Sequence, residues 1–571
     1  MREITRLDGV GRRYGVRGPW VLRDLTLDLP PGALVRIEGA NGTGKSTLLR
    51  IVAGVDPPTA GEVRGRPATA TAYVPERFPA ALPFPVLRYL THLGAVRGLP
   101  VPRARERARH WLERFAISGY ADTPLDELSK GTCQKVAVAQ ALLADPELLV
   151  LDEAWTGLDQ AARTTLDDAV RTRVAAGGTV VFVDHDPGRL AGEPTAIHRV
   201  TASGGTEALS PGSPVPRPAV AGAPAVLPSV STAVVIEAAP PGPAGRPPVP
   251  HPFTRLPSGA VRLTVPGPES DAALRTLLAA DPPWHITALH PVPGSPAPTR
   301  PVGSRTETAA DVSGPRVPVA SVVAPAEPGG RPDPHGLPEA PARGPRNPRV
   351  PLALLRYEAD LLLRSHRWLG PLLFYGAVMA IGVSGGQPLL GSLGYASALL
   401  VPVAAWMVRV CVTNEPPAAR ACVASAVGAR RAQLGALVTA MGMSAVVGGA
   451  GTAVVLAVSG PHSDDLRTTV PVGAAALAGL LAAAVSVLVG TAVGALTNPP
   501  LMRGTGWSLL TTALAAGAVL VATGSPAHAA VTGLVTGSRT GTVHYPLLSL
   551  AVAAPAAALA AWISCRSVSR L

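Results

Sequence analysis

Gly39-Ala40-Asn41-Gly42-Thr43-Gly44-Lys45-Ser46 is the stretch whose reading decides the fold of the N-terminal part of the chain. It has the form G-x-x-x-x-G-K-[ST]. Val35-Arg36-Ile37-Glu38 before it reads as a short strand, and Lys45 to Ala53 as the helix that follows. In that setting the backbone N–H groups of a glycine-rich turn can wrap around phosphates, and the helix adds its N-terminal dipole. Lys45 can reach the outer phosphates, and the Ser46 hydroxyl can ligate Mg2+.

Further along, Leu148-Leu149-Val150-Leu151-Asp152-Glu153 is an apolar run that ends in two carboxylates. A buried strand ending this way places Asp152 near a metal and Glu153 near an attacking water. Thr179 to Val183 is a second apolar run of strand length. Such runs suit parallel strands buried on both faces. Residues 1–205 therefore read as an α/β nucleotide-binding domain.

The ordered set resembles the nucleotide-binding domain of the ATP-binding cassette (ABC) transporter family. Leu128-Ser129-Lys130-Gly131-Thr132 resembles that family's signature sequence, usually LSGGQ, at the family's spacing before Asp152. Gly157-Leu158-Asp159 resembles its D-loop, and His185 its switch histidine. Tyr14 stands where an aromatic stacks on adenine. The resemblance implies an ATPase using ATP and Mg2+. It implies nucleotide contacts from Tyr14, Gly39, Asn41, Gly42, Thr43, Gly44, Lys45, Ser46 and Thr47. Ser129, Gly131 and Asp159 would close the site from a second copy. Mg2+ would be held by Ser46, Glu76 and Asp152. Glu153 would polarise the water, and His185 would contact the γ-phosphate. One cassette per chain implies a dimer, either a homodimer or a pair with a related half-transporter. Two positions depart from the family pattern. The usual glutamine after Tyr73-Val74-Pro75 is Glu76, which adds negative charge near the phosphates. The signature has Lys130 and Thr132 in place of Gly and Gln.

The rest of the chain changes character twice. It has 571 residues, 47% of them apolar, yet 62 prolines and 60 glycines, a mixture that fits apolar spans plus linker better than one packed domain. Residues 206–230 read as Pro/Gly linker. Residues 231–291 read as a small α+β module, with strands at Ala233–Glu237, Ala260–Val265 and Trp284–Leu289 and a helix at Ser270–Ala280; further linker is the alternative. Residues 292–350 read as disordered and Pro-rich. From 351 to 571 the chain is strongly apolar, an all-α transmembrane domain of about six helices. The candidate spans are Trp368–Val383, Leu389–Val408, Leu434–Val458, Val470–Leu496, Gly504–Thr523 and Tyr545–Ile563. Gly and Ala dominate them, which permits close helix packing.

Arginines cluster in the loops after the second, fourth and sixth spans, so both chain ends are expected in the cytoplasm. A multi-pass protein of the cytoplasmic membrane follows, with the lipid bilayer as a partner. The segment from Asn414 to Arg431 is expected to dock on the cassette, with Glu415, Arg420, Arg430 and Arg431 as candidates; a solvated loop is the alternative. Net charge is +12, but no basic stripe is interleaved with aromatics, so nucleic acid is not an expected partner. The four cysteines form no CxxC pair, and Met1–Tyr14 has no signal-peptide core. The reading that results is an exporter of an unidentified substrate. An ATP-gated membrane sensor and a soluble cassette ATPase remain its rivals.

Overall fold

The computed structural model describes residues 4–209, 233–292 and 349–568, apart from 16–17, 68–69, 79–80, 202, 240–246, 250, 257–259, 267–268 and 281–283. Of the expected linker 206–230 only 206–209 are described, and they form a strand; of the expected disordered stretch 292–350 only 292, 349 and 350 are described, each within a strand or helix; the rest lies outside the described residues.

The N-terminal domain is built on a six-stranded sheet. Its strands are β3 (Leu34–Glu38), β5 (Thr71–Val74), β6 (Leu148–Asp152), β7 (Thr179–Val183), β8 (Ala196–Val200) and β9 (Thr206–Leu209), in the order β5-β6-β7-β3-β8-β9. All neighbours are parallel except β8 and β9. Successive strand residues point to opposite faces. Val150, Val181 and Val183 enter one core with helix α1 (Lys45–Val52), whereas Leu149, Leu151, Val180 and Phe182 enter the other. This two-sided burial is why β6 and β7 are apolar throughout.

The first core is closed by an antiparallel sheet of β1 (Thr5–Arg13), β2 (Trp20–Leu29) and β4 (Ala60–Arg64), in the order β2-β1-β4. The second is covered by helices α2 (Val86–Val96), α3 (Val101–Arg114), α4 (Lys130–Leu142) and α5 (Gln160–Ala175).

The described residues between 233 and 292 belong to a separate compact unit. Its described part is a sheet of β10 (Ala233–Ala239), β11 (Phe253–Arg255), β12 (Val261–Pro266) and β13 (His285–Val292), in the order β11-β12-β10-β13, with one helix, α6 (Ser270–Leu278). Ile236, Leu263, Leu277 and Trp284 meet in its core.

The C-terminal region is helical. It begins with α7 (Arg349–Ser365) and α8 (Leu369–Gly382), followed by α9 (Leu389–Asn414) and the short α10 (Pro417–Val427). Next come α11 (Ala429–Val458), α12 (Val472–Thr497), α13 (Thr505–Val521), α14 (Pro526–Thr540) and α15 (Leu547–Val568). Each of the six apolar segments expected from the sequence contains a helix. Four of these, α9, α11, α12 and α15, are long and apolar enough to cross a membrane. The fifth segment, α13, continues past a 47° bend into α14, and the pair passes the same test. The first, α8, has only 14 residues, too few to span a bilayer core at helical rise.

Small residues set the spacing inside this bundle. A Cβ at Gly490 would lie 2.5 Å from the Val401 carbonyl oxygen, and one at Gly494 would lie 2.7 Å from the Val408 Cβ. α12 therefore packs on α9 nearly backbone to backbone. Leu373, Ile381, Leu514 and Leu548 stay exposed on the outside, as a lipid-facing surface allows and a water-facing one rarely does.

Candidate functional site

The loop Gly39–Ser46 connects the end of β3 to the start of α1. Gly39, Gly42 and Gly44 all have positive φ, at 147°, 81° and 99°. A Cβ at Gly39 would meet the Val200 carbonyl oxygen at 2.7 Å, and one at Gly44 would meet a Val21 methyl at 2.9 Å. Only glycine satisfies both the torsions and the space. Lys45 is nearly buried, and its Nζ donates to the carbonyls of Gly39 (2.9 Å) and Ala40 (3.0 Å). The ammonium thus lies across the inside of the loop. Thr43 donates to the same Ala40 carbonyl at 2.9 Å. Asn41 and Gly42 sit in the turn between.

Asp152 ends β6 beside this loop. Ser46 Oγ donates to one of its oxygens at 3.2 Å, and the Tyr73 hydroxyl donates to the other at 3.1 Å. Burial pushes the Asp152 carboxyl up to about 6, opposed by these two hydrogen bonds and aided by the charges of Glu153 and Glu76. Glu76 is half exposed and within 3.4 Å of the Arg77 guanidinium. Glu153 has φ 50°, a region non-glycine residues rarely adopt, at a cost of order 1–3 kcal/mol. Its N–H donates to the Val183 carbonyl at 3.0 Å, and its own carbonyl accepts from Thr156 at 3.0 Å. Its carboxylate lies 2.7 Å from His185 Nε2. Hydroxyl and carboxylate oxygens beside a glycine-rich loop with a lysine ammonium across it fit a triphosphate and the hard, oxygen-seeking Mg2+.

Tyr14 approaches from the first sheet. Its hydroxyl is 3.3 Å from Thr47 Oγ1, and the Arg12 guanidinium stacks 5.0 Å from its ring centre. Ser129 caps α4, accepting from the Thr132 N–H at 3.2 Å. Gly131 packs on the turn that follows β6, since a Cβ there would stand 3.0 Å from the Gly157 carbonyl. Asp159 caps α5 through the Ala162 N–H at 2.8 Å and pairs with Lys135 at 2.7 Å, which holds its carboxyl below the usual range. Among the described residues, no hydrogen bond or ion pair joins Ser129, Gly131 or Asp159 to the loop 39–46.

Two residues to which the sequence assigns no site role complete the geometry. Arg36 is buried in β3 and donates to the carbonyls of Asp186 (2.9 Å), Pro187 (3.2 Å) and Arg189 (3.1 Å), fastening the segment after His185. An arginine between Val35 and Ile37 in a short strand was the available signal. Tyr73 is the other. Its hydroxyl holds Asp152, and its main-chain carbonyl accepts from Gln140 Nε2 at 2.8 Å and the Cys422 thiol at 3.6 Å. Cys422 belongs to α10, so the helical region reaches the same residue that holds Asp152.

The docking of α10 corrects the expectation about charged residues. Ala419, Cys422, Val423, Ala426 and Val427 pack into the core beneath the sheet. Glu415 instead accepts from the Tyr357 hydroxyl at 2.5 Å, and Arg420 turns inward to the Val412 carbonyl (2.8 Å) and Gln433. β5 is an edge strand, and an apolar helix covers its open side without leaving charges unpaired. The ionic contact comes from α7. Asp360 receives a forked pair of bonds from Arg88 (2.6 and 2.8 Å) and lies 2.9 Å from His92.

Comparison with known proteins finds relatives of the N-terminal domain. Residues 22–156 match the family model described as ABC transporter. The zinc import ATP-binding protein ZnuC of Cereibacter sphaeroides is 41% identical over 171 residues, covering 29% of this chain and 67% of the relative. ZnuC of Yersinia enterocolitica is 35% identical over 189 residues, covering 33% and 71%. The chain thus spans about two thirds of the length of these relatives. Among solved structures, the dimeric post-hydrolysis ATP-binding cassette MJ0796 bound to ADP and Pi is 24% identical, with a TM-score of 0.33 over 36% of this chain and 98% of that one.

Proposed function

The chain belongs to the ATP-binding cassette transporter family, and from that premise we propose that it is a half-transporter whose N-terminal ATPase drives its own C-terminal helices to export a substrate. Membership makes the N-terminal domain an ATP-binding and ATP-hydrolysing transporter subunit that works with Mg2+. The observation that carries the coupling is the seat of α10. Cys422 touches the main chain of Tyr73 while the Tyr73 hydroxyl holds Asp152.

In this reading the loop 39–46 wraps the phosphates, and Lys45 exchanges the Gly39 and Ala40 carbonyls for phosphate oxygens. Ser46, Asp152 and Glu76 hold Mg2+, which neutralises charge on those oxygens. Glu153 orients and polarises the attacking water. His185 contacts the γ-phosphate, Tyr14 stacks on adenine, and Thr47 lies beside it. Ser129 and the Gly131 N–H of a second copy complete each site, with Asp159 at the seam, which favours a homodimer over a pairing with a related half-transporter. The arginine distribution supports a multi-pass protein of the cytoplasmic membrane with the cassette inside.

Export rests on the fusion of cassette and helices in one chain. The zinc import relatives match about a third of the chain or less, so their cargo is said of them alone. The test is ATP turnover of the purified chain in lipid, with Glu153→Gln as its partner. Loss of roughly 10²–10⁴-fold in the variant with ATP binding retained supports the cycle. Tight binding without turnover in either protein overturns it and favours an ATP-gated sensor, with Glu76 the next residue to change.

A further inference from the structure

A cleft of about 850 Å³ lies between α2, α3 and α7, away from the nucleotide loop. Arg88, Arg105, Arg349, Arg356 and Arg364 line it, against a single carboxylate, Asp122. Arg88 and Arg364 share the Asp360 carboxylate, through the forked bond and a 3.2 Å contact. Arg105 and Arg356 are exposed and make no ion pair among the described residues. The cleft therefore carries unbalanced positive charge. Apart from Thr91 and His92, its remaining wall is apolar, including Leu87, Leu99, Val101 and Leu352.

The placement of α7 says what such a cleft meets. Its inner face, Leu354, Tyr357 and Leu361, is buried against the N-terminal domain. Leu352 and Leu363 remain 50% and 47% exposed. They are about three helical turns apart, so they share one stripe, and Arg349 and Arg356 lie on it too. A helix that alternates arginine and leucine on its open face suits the boundary between headgroups and acyl chains. Beyond Ser365 the chain passes through Arg367 and Trp368 into apolar α8, so the cleft opens next to the helices read as membrane-embedded.

We propose that this cleft binds the phosphate headgroup of an anionic membrane lipid, with its acyl chains along Leu352 and Leu363. The planar guanidinium matches phosphate oxygens in pairs, which Arg105 and Arg356 can supply from opposite walls. A soluble phosphate would use the arginines alone and leave the apolar wall without purpose. The inference rests on the helices being in the membrane, but not on the direction of transport or on turnover.

The test uses the full chain, extracted in neutral detergent with equal phosphatidylglycerol and phosphatidylcholine and read by native mass spectrometry. Wild type should retain one phosphatidylglycerol per chain in preference to phosphatidylcholine. Arg105→Glu with Arg356→Glu should lower that retention by roughly ten-fold or more, and the paired Gln variant by less. Equal retention of both lipids by wild type overturns the proposal. So does unchanged retention in either variant when its melting temperature matches wild type. Displacement of the lipid by millimolar glycerol 3-phosphate overturns the lipid as the ligand. ATP turnover in the same preparations is read separately, so a failed transport cycle and a failed lipid site are told apart.

Discussion

The nucleotide loop and the α10 seam both converge on Tyr73, yet they are held by different physics. The loop is fixed by torsions that only glycine tolerates and by directed hydrogen bonds around Lys45 and Asp152. The seam is fixed by volume: alanine, valine and cysteine side chains filling the space beside an edge strand. Replacements in the loop should therefore change chemistry on an intact fold. Replacements in the seam should change attachment while leaving nucleotide affinity almost alone.

The sharpest way to break this contrast is Cys422→Arg. A charge placed in that fully buried position costs roughly 3–5 kcal/mol. Amide hydrogen exchange across 417–427 should accelerate by roughly 10²-fold or more, while ATP affinity changes by no more than about three-fold. A large loss of ATP affinity would show that seam and loop are not separable.

Tyr73→Phe asks the converse question. The ring keeps its volume and the main-chain carbonyl stays, so α10 exchange should not move. Asp152 loses one donor, worth about 1 kcal/mol, so the Mg2+ needed for half-maximal turnover should rise roughly 3–10-fold. Faster exchange in α10 would mean that the hydroxyl, and not the carbonyl, holds the seam.

A smaller effect is expected from Glu76→Gln. Removing a half-exposed negative charge near Asp152 should tighten Mg-ATP roughly 2–5-fold in a titration at low salt, and less at high salt. No change at either salt would place Glu76 outside the site's field.

A further effect concerns pH. Burial raises the Glu415 carboxyl from 4.5 to about 7, with the Tyr357 hydrogen bond and Arg420 opposing. A folded value above the unfolded one favours the protonated form. Its stability contribution is full below about 4.5 and lost as pH rises towards about 7. Glu415→Gln should therefore flatten that decline, raising the melting temperature slightly at pH 8 and leaving pH 4 unchanged. A parallel shift at both values would count against ionisation as the cause.

The same contrast decides what was legible in the sequence. The loop could be read because phosphate binding demands particular residues at fixed spacing, and β6 and β7 because two-sided burial leaves an unbroken apolar run. The antiparallel β1 and β2 went unread, although Leu25, Leu27 and Leu29 alternate with exposed Thr26 and Asp28 as a half-buried strand should. The seam gave no such sign. Its residues are those of the spans themselves, and the nearby Glu415 and Arg420 drew attention while turning inward. The Arg88–Asp360 pair links positions 272 residues apart, a separation that no local pattern encodes. Segment lengths were partly legible: α9, α11 and α12 fell where apolar runs are longest, and the shortest expected span, Trp368–Val383, holds the short α8.

The contact between Gln140 and Cys422 joins residues 282 apart in the chain. A ribosome adding about 5–20 residues per second needs roughly 15–60 s to travel between them. Through that interval the N-terminal domain has left the ribosome with the groove beside β5 lacking the helix that fills it. The apolar wall waiting for α10 is an open invitation to the wrong neighbour during synthesis. Release of the newborn chain into a productive shape is thus timed by the arrival of α10, long after the motifs that bind nucleotide have been made.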